Sequence, residues 1–225
     1  RQNGYEIHTT INKDIYDAMQ AAKDNFEYYG SDIQMVETDP ETGEEVTVDK
    51  PVEVGAILIE NKTGKILSFV GGRDFDKQQL NHATSAKRPN GSTMKPLLVY
   101  APAIELGKLA PGTILPDLPL ALNPASSQPW PKNYGGGYSG LVSARYALAR
   151  SYNVPTVKAY VDILGSRPAE YLKKMGFTSL TEDDYTNRST ALGGLTNGVT
   201  VEENVNAFGT FANNGQFIDA YMIEK

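Results

Sequence analysis

Cysteine is absent from these 225 residues, and histidine occurs only at His8 and His82. Without thiols there can be no disulfide, thiolate zinc site or cysteine nucleophile. Two histidines are too few for an ordinary zinc centre, and a serine–histidine–aspartate enzyme would have to draw on one of them. No run of about 18 apolar residues occurs, so nothing here reads as a membrane-spanning helix. No signal-peptide pattern is visible, and an arginine at position 1 suggests a trimmed start. Clustered Lys and Arg are also missing. With a net charge of −6 and no basic block, the chain lacks the concentrated positive charge that phosphate binding needs, which argues against a nucleic-acid partner.

The chain does contain enough apolar residues, 40% of the total against 21% charged, to bury a sizeable core. Residues 5–11 alternate like a strand. Asn12 or Asp14 is placed to cap a helix from about Ile15 to Phe26. Residues 30–50 are polar and acidic around Asp39-Pro40-Glu41-Thr42-Gly43, a turn signal in an exposed hairpin or loop. Val52–Glu60 and Lys65–Val70 read as a hairpin about Asn61-Lys62-Thr63-Gly64. After a polar connection ending in Arg88-Pro89-Asn90-Gly91, an apolar helix is expected from Ser92 to Gly107, kinked at Pro102. Turns and short helices at most fill 108–140. Further helices are expected over 141–150, from Val154-Pro155 to about Leu164, and after Ser166 as far as Gly176. Another follows the capping box Thr200-x-x-Glu203. Phe217–Glu224 reads as a strand. Strands at both ends with helices between predict an α+β domain whose sheet recruits both ends of the chain.

Chemistry concentrates at Ser92 and Lys95, three apart and so on one helix face. Serine needs a base within hydrogen-bond reach. A buried lysine can be that base, because burial disfavours the ammonium. Ser92 at the helix start also gains from the positive end of the dipole, and its N–H is placed for an oxyanion hole. A lone Ser-x-x-Lys is more often an ordinary solvated pair. Here Ser151-Tyr152-Asn153 supplies a second motif between two helices, although Asn153 reads equally well as the cap of the next helix.

Ser-x-x-Lys with Ser-x-Asn belongs to the motif set of penicillin-binding proteins and class A β-lactamases, completed by Lys-Thr/Ser-Gly. The segments 88–96, Pro129-Trp130-Pro131-Lys132-Asn133-Tyr134, 138–151, 191–194 and 207–215 resemble the transpeptidase domain of class A penicillin-binding proteins. The resemblance implies a penicillin-binding/serine β-lactamase-like fold, α+β, with an antiparallel sheet and a helical lobe. Residues 1–51 would be linker and the start of the domain, and 52–225 its N-terminal part. It further implies that Ser92 attacks a D-alanyl-D-alanine stem peptide with Lys95 as base. Ser151 would relay a proton, Asn153 would bind the donor amide, and Trp130 and Tyr134 would border the cleft. β-Lactams would trap Ser92, and no metal or organic cofactor would be needed. The parent protein would be extracytoplasmic, membrane-anchored upstream of this chain, and a glycosyltransferase as well.

Lys62-Thr63-Gly64 spells the third motif but precedes Ser92 and sits in a hairpin turn, so it is read as turn chemistry. No other copy follows Ser151. The expectation is therefore an incomplete domain, with a second chain carrying the remaining strands and with little activity alone. A serine β-lactamase and a non-catalytic wall-binding or scaffolding module are the rival readings. The first lacks an evident deacylating carboxylate.

Overall fold

The computed structural model describes residues 4–224. The chain forms two compact units, one of residues 1–86 with 220–225 and one of residues 87–219.

In the first unit, helix α1, Lys13–Asp24, begins where Asn12 Oδ1 accepts from Ile15 N at 3.1 Å. It lies on the strand Ile66–Val70, with Tyr16 edge-on to Phe69 at 6.0 Å and Gln20 donating to Phe69 O at 3.0 Å. Strands β1, Ile33–Thr38, and β2, Glu45–Lys50, pair as the exposed hairpin. Its turn is organised by Asp39, whose Oδ1 accepts from Glu41 N and Thr42 N. Those donors hold the Asp39 carboxyl below its ordinary range. Strands β3, Ala56–Ile59, and β4, Ile66–Val70, form the second hairpin. Both chain ends do come to it. Tyr221 bridges Lys65, Ile223 bridges Thr9, and Thr10 N donates to Met222 O. The expected strands at 5–11 and 217–224 are reduced to these single bridges, because each end makes only a few ladder bonds.

The second unit holds the main core. The expected helix from Ser92 is not one helix. A 3-10 turn, Gly91–Thr93, leads into a wide π-type segment, Lys95–Tyr100, then helix α2, Ala101–Glu105. Pro102 has no N–H for Leu98 O, and Ala101 N reaches back five residues to Pro96 O instead, the widening that marks a π segment. Strand β5, Ile114–Asp117, pairs antiparallel with β6, Gly140–Ser143. The stretch expected to hold turns and short helices at most thus contains a strand, and the helix expected from Leu141 starts late. That helix, α3, Ala144–Ala149, is capped by Ser143 Oγ. Helices α4, Asn153–Ile163, α5, Ala169–Lys174, and α6, Val201–Ala212, complete the unit. Thr200 and Glu203 form the predicted capping box at α6. Met94, Leu97 and Leu98 are fully buried with Val157, Tyr160 and Leu172. Burial of each large aliphatic side chain contributes about 1.5–3 kcal/mol, so the segment that carries Lys95 is anchored by the core itself.

Candidate active site

Ser92 is exposed on the 3-10 turn, and Lys95, one turn on, is 1% exposed. The Lys95 amine donates to Ser151 O at 2.5 Å, Ser151 Oγ at 3.1 Å and Asn153 Oδ1 at 2.6 Å. The structure therefore brings Lys95, Ser151 and Asn153 together. Among the described residues, no hydrogen bond joins Ser92 Oγ to Lys95. Burial pushes the Lys95 amine from its ordinary value down to about 8.

Ser151 reaches Lys95 through the way α3 ends. Its backbone is left-handed, at φ 54°. Ser151 N donates to Leu148 O and Tyr152 N to Ala147 O, both at 2.9 Å. These two bonds are the crossed pair of a Schellman closure, in which glycine usually holds the left-handed position. A serine there turns both its carbonyl and its hydroxyl toward Lys95.

Asn153 is not the cap of α4 but its first residue. Its Oδ1 faces Lys95 and its Nδ2 donates to Lys132 O at 2.8 Å. The cap comes from the preceding loop, where Asn133 Oδ1 accepts from Asn153 N at 2.8 Å and Val154 N at 3.3 Å. Trp130 is half-buried against the core, and Tyr134 is wholly in solvent. The loop thus meets the Ser-x-Asn motif through Lys132 and Asn133. Nothing in periodicity or spacing marks a backbone carbonyl or a cap contributed from 20 residues away.

The turn bearing Ser92 rests on residues 193–199. Arg88 and Val199 exchange backbone hydrogen bonds at 3.0 and 2.9 Å. Gly193, at φ 86°, lies so close that a Cβ there would be 2.3 Å from Gly91 N. A Cβ on Gly198 would be 2.7 Å from the Arg88 carbonyl carbon. This support is pinned by Asp184, fully buried, which accepts from Thr181 N at 2.8 Å and Thr196 N at 2.9 Å. Burial alone would raise its pKa, but those donors outweigh it and keep the carboxyl below its ordinary range. Among the described residues, no three His, Asp or Glu side chains converge to hold a metal ion.

Residues 54–225 match the family described as "Penicillin binding protein transpeptidase domain". Penicillin-binding protein 1F of Bacillus subtilis (strain 168) is 35% identical over 177 residues, 79% of this chain and 24% of that protein. Penicillin-binding protein 1A of Neisseria lactamica is 35% identical over 188 residues, 81% of this chain and 23% of that protein. The chain thus spans about a quarter of the length of these curated relatives. Among solved structures, penicillin-binding protein 1A from Haemophilus influenzae aligns with TM-score 0.68 at 28% identity, over 84% of this chain and 28% of that one. The imipenem acyl-enzyme complex of penicillin-binding protein A from M. tuberculosis aligns with TM-score 0.73 at 21% identity, over 96% and 54%. The latter likeness is one of fold.

Proposed function

The chain belongs to the penicillin-binding protein transpeptidase family, and from that premise we propose that it carries the acyl-transfer site of a D,D-transpeptidase, with Ser92 as nucleophile. Ser92 Oγ attacks the carbonyl carbon between the two terminal D-alanines of a peptidoglycan stem peptide, and its proton passes to the Lys95 amine. The C–N bond breaks as the leaving amine takes a proton through Ser151 Oγ, and the acyl group remains as an ester on Ser92. An amine from a neighbouring stem peptide attacks that ester, its proton passing back through Lys95 to the departing Ser92 oxygen. Asn153 orients the donor amide. Trp130 and Tyr134 contribute at most at the border of the cleft. A β-lactam, whose ring amide stands in for the D-alanyl-D-alanine bond, would acylate Ser92 through the same residues.

One observation supports this reading above the others: a buried amine, moved by burial to about 8, that touches Ser151 Oγ and Asn153 Oδ1. With that pKa about one Lys95 in ten is neutral at pH 7, enough to act as base. Nucleophile and base often come into hydrogen-bond reach only in the Michaelis complex, so the lack of a Ser92–Lys95 hydrogen bond among the described residues leaves Lys95 its role as base. We take residues 52–225 as the transpeptidase portion and 1–51 as the approach to it. The reading also locates the chemistry outside the cytoplasm, on a membrane-anchored, class A parent, whose glycosyltransferase activity lies outside these residues.

Labelling by a fluorescent penicillin, read by intact mass, tests the proposal. It is applied to this chain, to the longest natural polypeptide containing it, and to Ser92→Ala in each. A penicilloyl adduct that vanishes in Ser92→Ala is expected. If the longer polypeptide forms no adduct, acyl transfer is excluded and a wall-binding module becomes the better account.

A further inference from the structure

Asp117 is fully buried at the end of β5, and no step proposed for Ser92, Lys95, Ser151 or Asn153 uses it. Its Oδ1 accepts from Asn133 Nδ2 at 2.7 Å and its Oδ2 from Ser139 N at 2.8 Å. Asn133, itself 7% exposed, also donates to Gly137 O at 3.2 Å. Its Oδ1 accepts from the first two N–H groups of α4. Asn153 stands at that helix start, with Oδ1 2.6 Å from the Lys95 amine.

We infer that Asp117 and Asn133 are positioning residues for acyl transfer, the carboxylate fixing which way the Asn133 amide points and thereby where Asn153 meets Lys95. The inference rests on the proposed roles of Ser92 and Lys95. Its logic is one of donors and acceptors. An amide has two faces of similar shape, and turning Asn133 over would set its NH2 against the N–H groups of α4. An ionised carboxylate accepts and cannot donate, so Asp117 permits only the orientation in which Nδ2 faces it. An asparagine at 117 has one acceptor oxygen for two donors, Asn133 Nδ2 and Ser139 N, and its own NH2 would oppose one of them. The Asn133 amide would lose its fixed sense, and with it the start of α4 and Asn153 Oδ1 would shift. Asp117 makes no hydrogen bond to Ser92 or Lys95 among the described residues, so its effect passes through Asn133 and Asn153.

The test measures acylation by fluorescent penicillin in the full-length protein, separating the rate constant at saturation from the concentration giving half that rate. Rates are taken per folded molecule, with thermal melts alongside. In Asp117→Asn the saturating rate constant is expected to fall about 10–100-fold, as a misplacement of up to about 1 Å can cause. The half-saturating concentration should move less than about threefold. Asn133→Asp, which sets two carboxylates face to face, should be at least as slow. The double variant Asp117→Asn with Asn133→Asp reverses the polarity of the contact. The new carboxylate at 133 accepts from α4 with one oxygen and from the new amide at 117 with the other, at the expense of the Gly137 contact. Its rate constant should return to within about threefold of the parent, the coupling a double-mutant cycle reads. If Asp117→Asn does not fold, Asn133→Ser, which removes the amide but leaves the carboxylate, carries the same comparison. A folded Asp117→Asn that acylates at the parent rate overturns the inference, as does a loss that the double variant fails to recover. No adduct on the parent protein would instead overturn the acyl-transfer reading itself.

Discussion

Ser151 holds a left-handed backbone, a conformation that costs a residue with a Cβ roughly 1–2 kcal/mol. It also supplies a hydroxyl to Lys95. Two substitutions separate these facts. Ser151→Gly should be about 1 kcal/mol more stable to urea than Ser151→Ala, while both lose the hydroxyl and slow acylation by a similar factor. A glycine variant no more stable than the alanine one would show that the left-handed turn is unstrained. Lys95 sets the pH response. Its folded pKa, about 8, lies below the ordinary 10.5, so the folded chain binds fewer protons than the unfolded chain between those values. Stability should therefore rise as pH climbs from about 8 toward 10.5, by roughly 3 kcal/mol at most. Below 8 the penalty of the buried ammonium is fully present. Denaturant titrations across that range should show the slope in the parent and lose it in Lys95→Met. Acylation should rise through pH 8 for the same reason. These residues were legible because each pair lies within three positions in the sequence. Asp117 and Asn133 were not, because a buried acceptor and a remote cap leave no periodic trace.

Among the elements, the support beneath Ser92 is the most sensitive to volume. Gly193→Ala forces a Cβ into the Gly91 backbone, which cannot swing aside as a side chain can. It should lower the melting temperature by several degrees and slow acylation. Gly107→Ala, also left-handed at φ 66° but with nothing within 4 Å of a Cβ, is the matched control and should show only the backbone cost, roughly 1–2 kcal/mol. Equal effects in the two would mean that the close approach to Gly91 is unimportant. At α6, Thr200→Ala removes one half of the capping box and should cost about 1 kcal/mol in a denaturant melt. That box was legible because caps are local. The π-type segment was not, because residues 94–100 are apolar on nearly every side, and periodicity cannot count residues per turn in a fully buried stretch. Strands β5 and β6 escaped notice because they pair across more than 20 residues of proline- and glycine-rich chain.

For the molecule as a whole, the α+β class and the meeting of both chain ends at β4 followed from the order of strand-like and helix-like segments. The division into two units did not, since no linker-like composition marks residues 86 and 220. Burial is distributed unevenly. No residue of α1 is buried, and β1 is exposed throughout, whereas Val154, Val157 and Tyr160 of α4 are fully enclosed. Hydrogen exchange should follow that contrast. Amides of 97–100 and 154–163 should exchange only on global opening, and those of 33–50 orders of magnitude faster. Uniform protection across the chain would contradict the distribution of the core.

The three contacts of the Lys95 amine carry one more consequence. An ammonium has three protons and no acceptor capacity, and here Ser151 O, Ser151 Oγ and Asn153 Oδ1 engage all three. In this state the nitrogen has no lone pair to offer a serine. Once deprotonated, it keeps two protons for Ser151 O and Asn153 Oδ1, and its lone pair can accept from the Ser151 hydroxyl, which turns from acceptor to donor. The site stays satisfied in both protonation states only by reversing the sense of the Ser151 hydroxyl contact, and the lone pair must then be released from that hydroxyl before it can take a proton from Ser92.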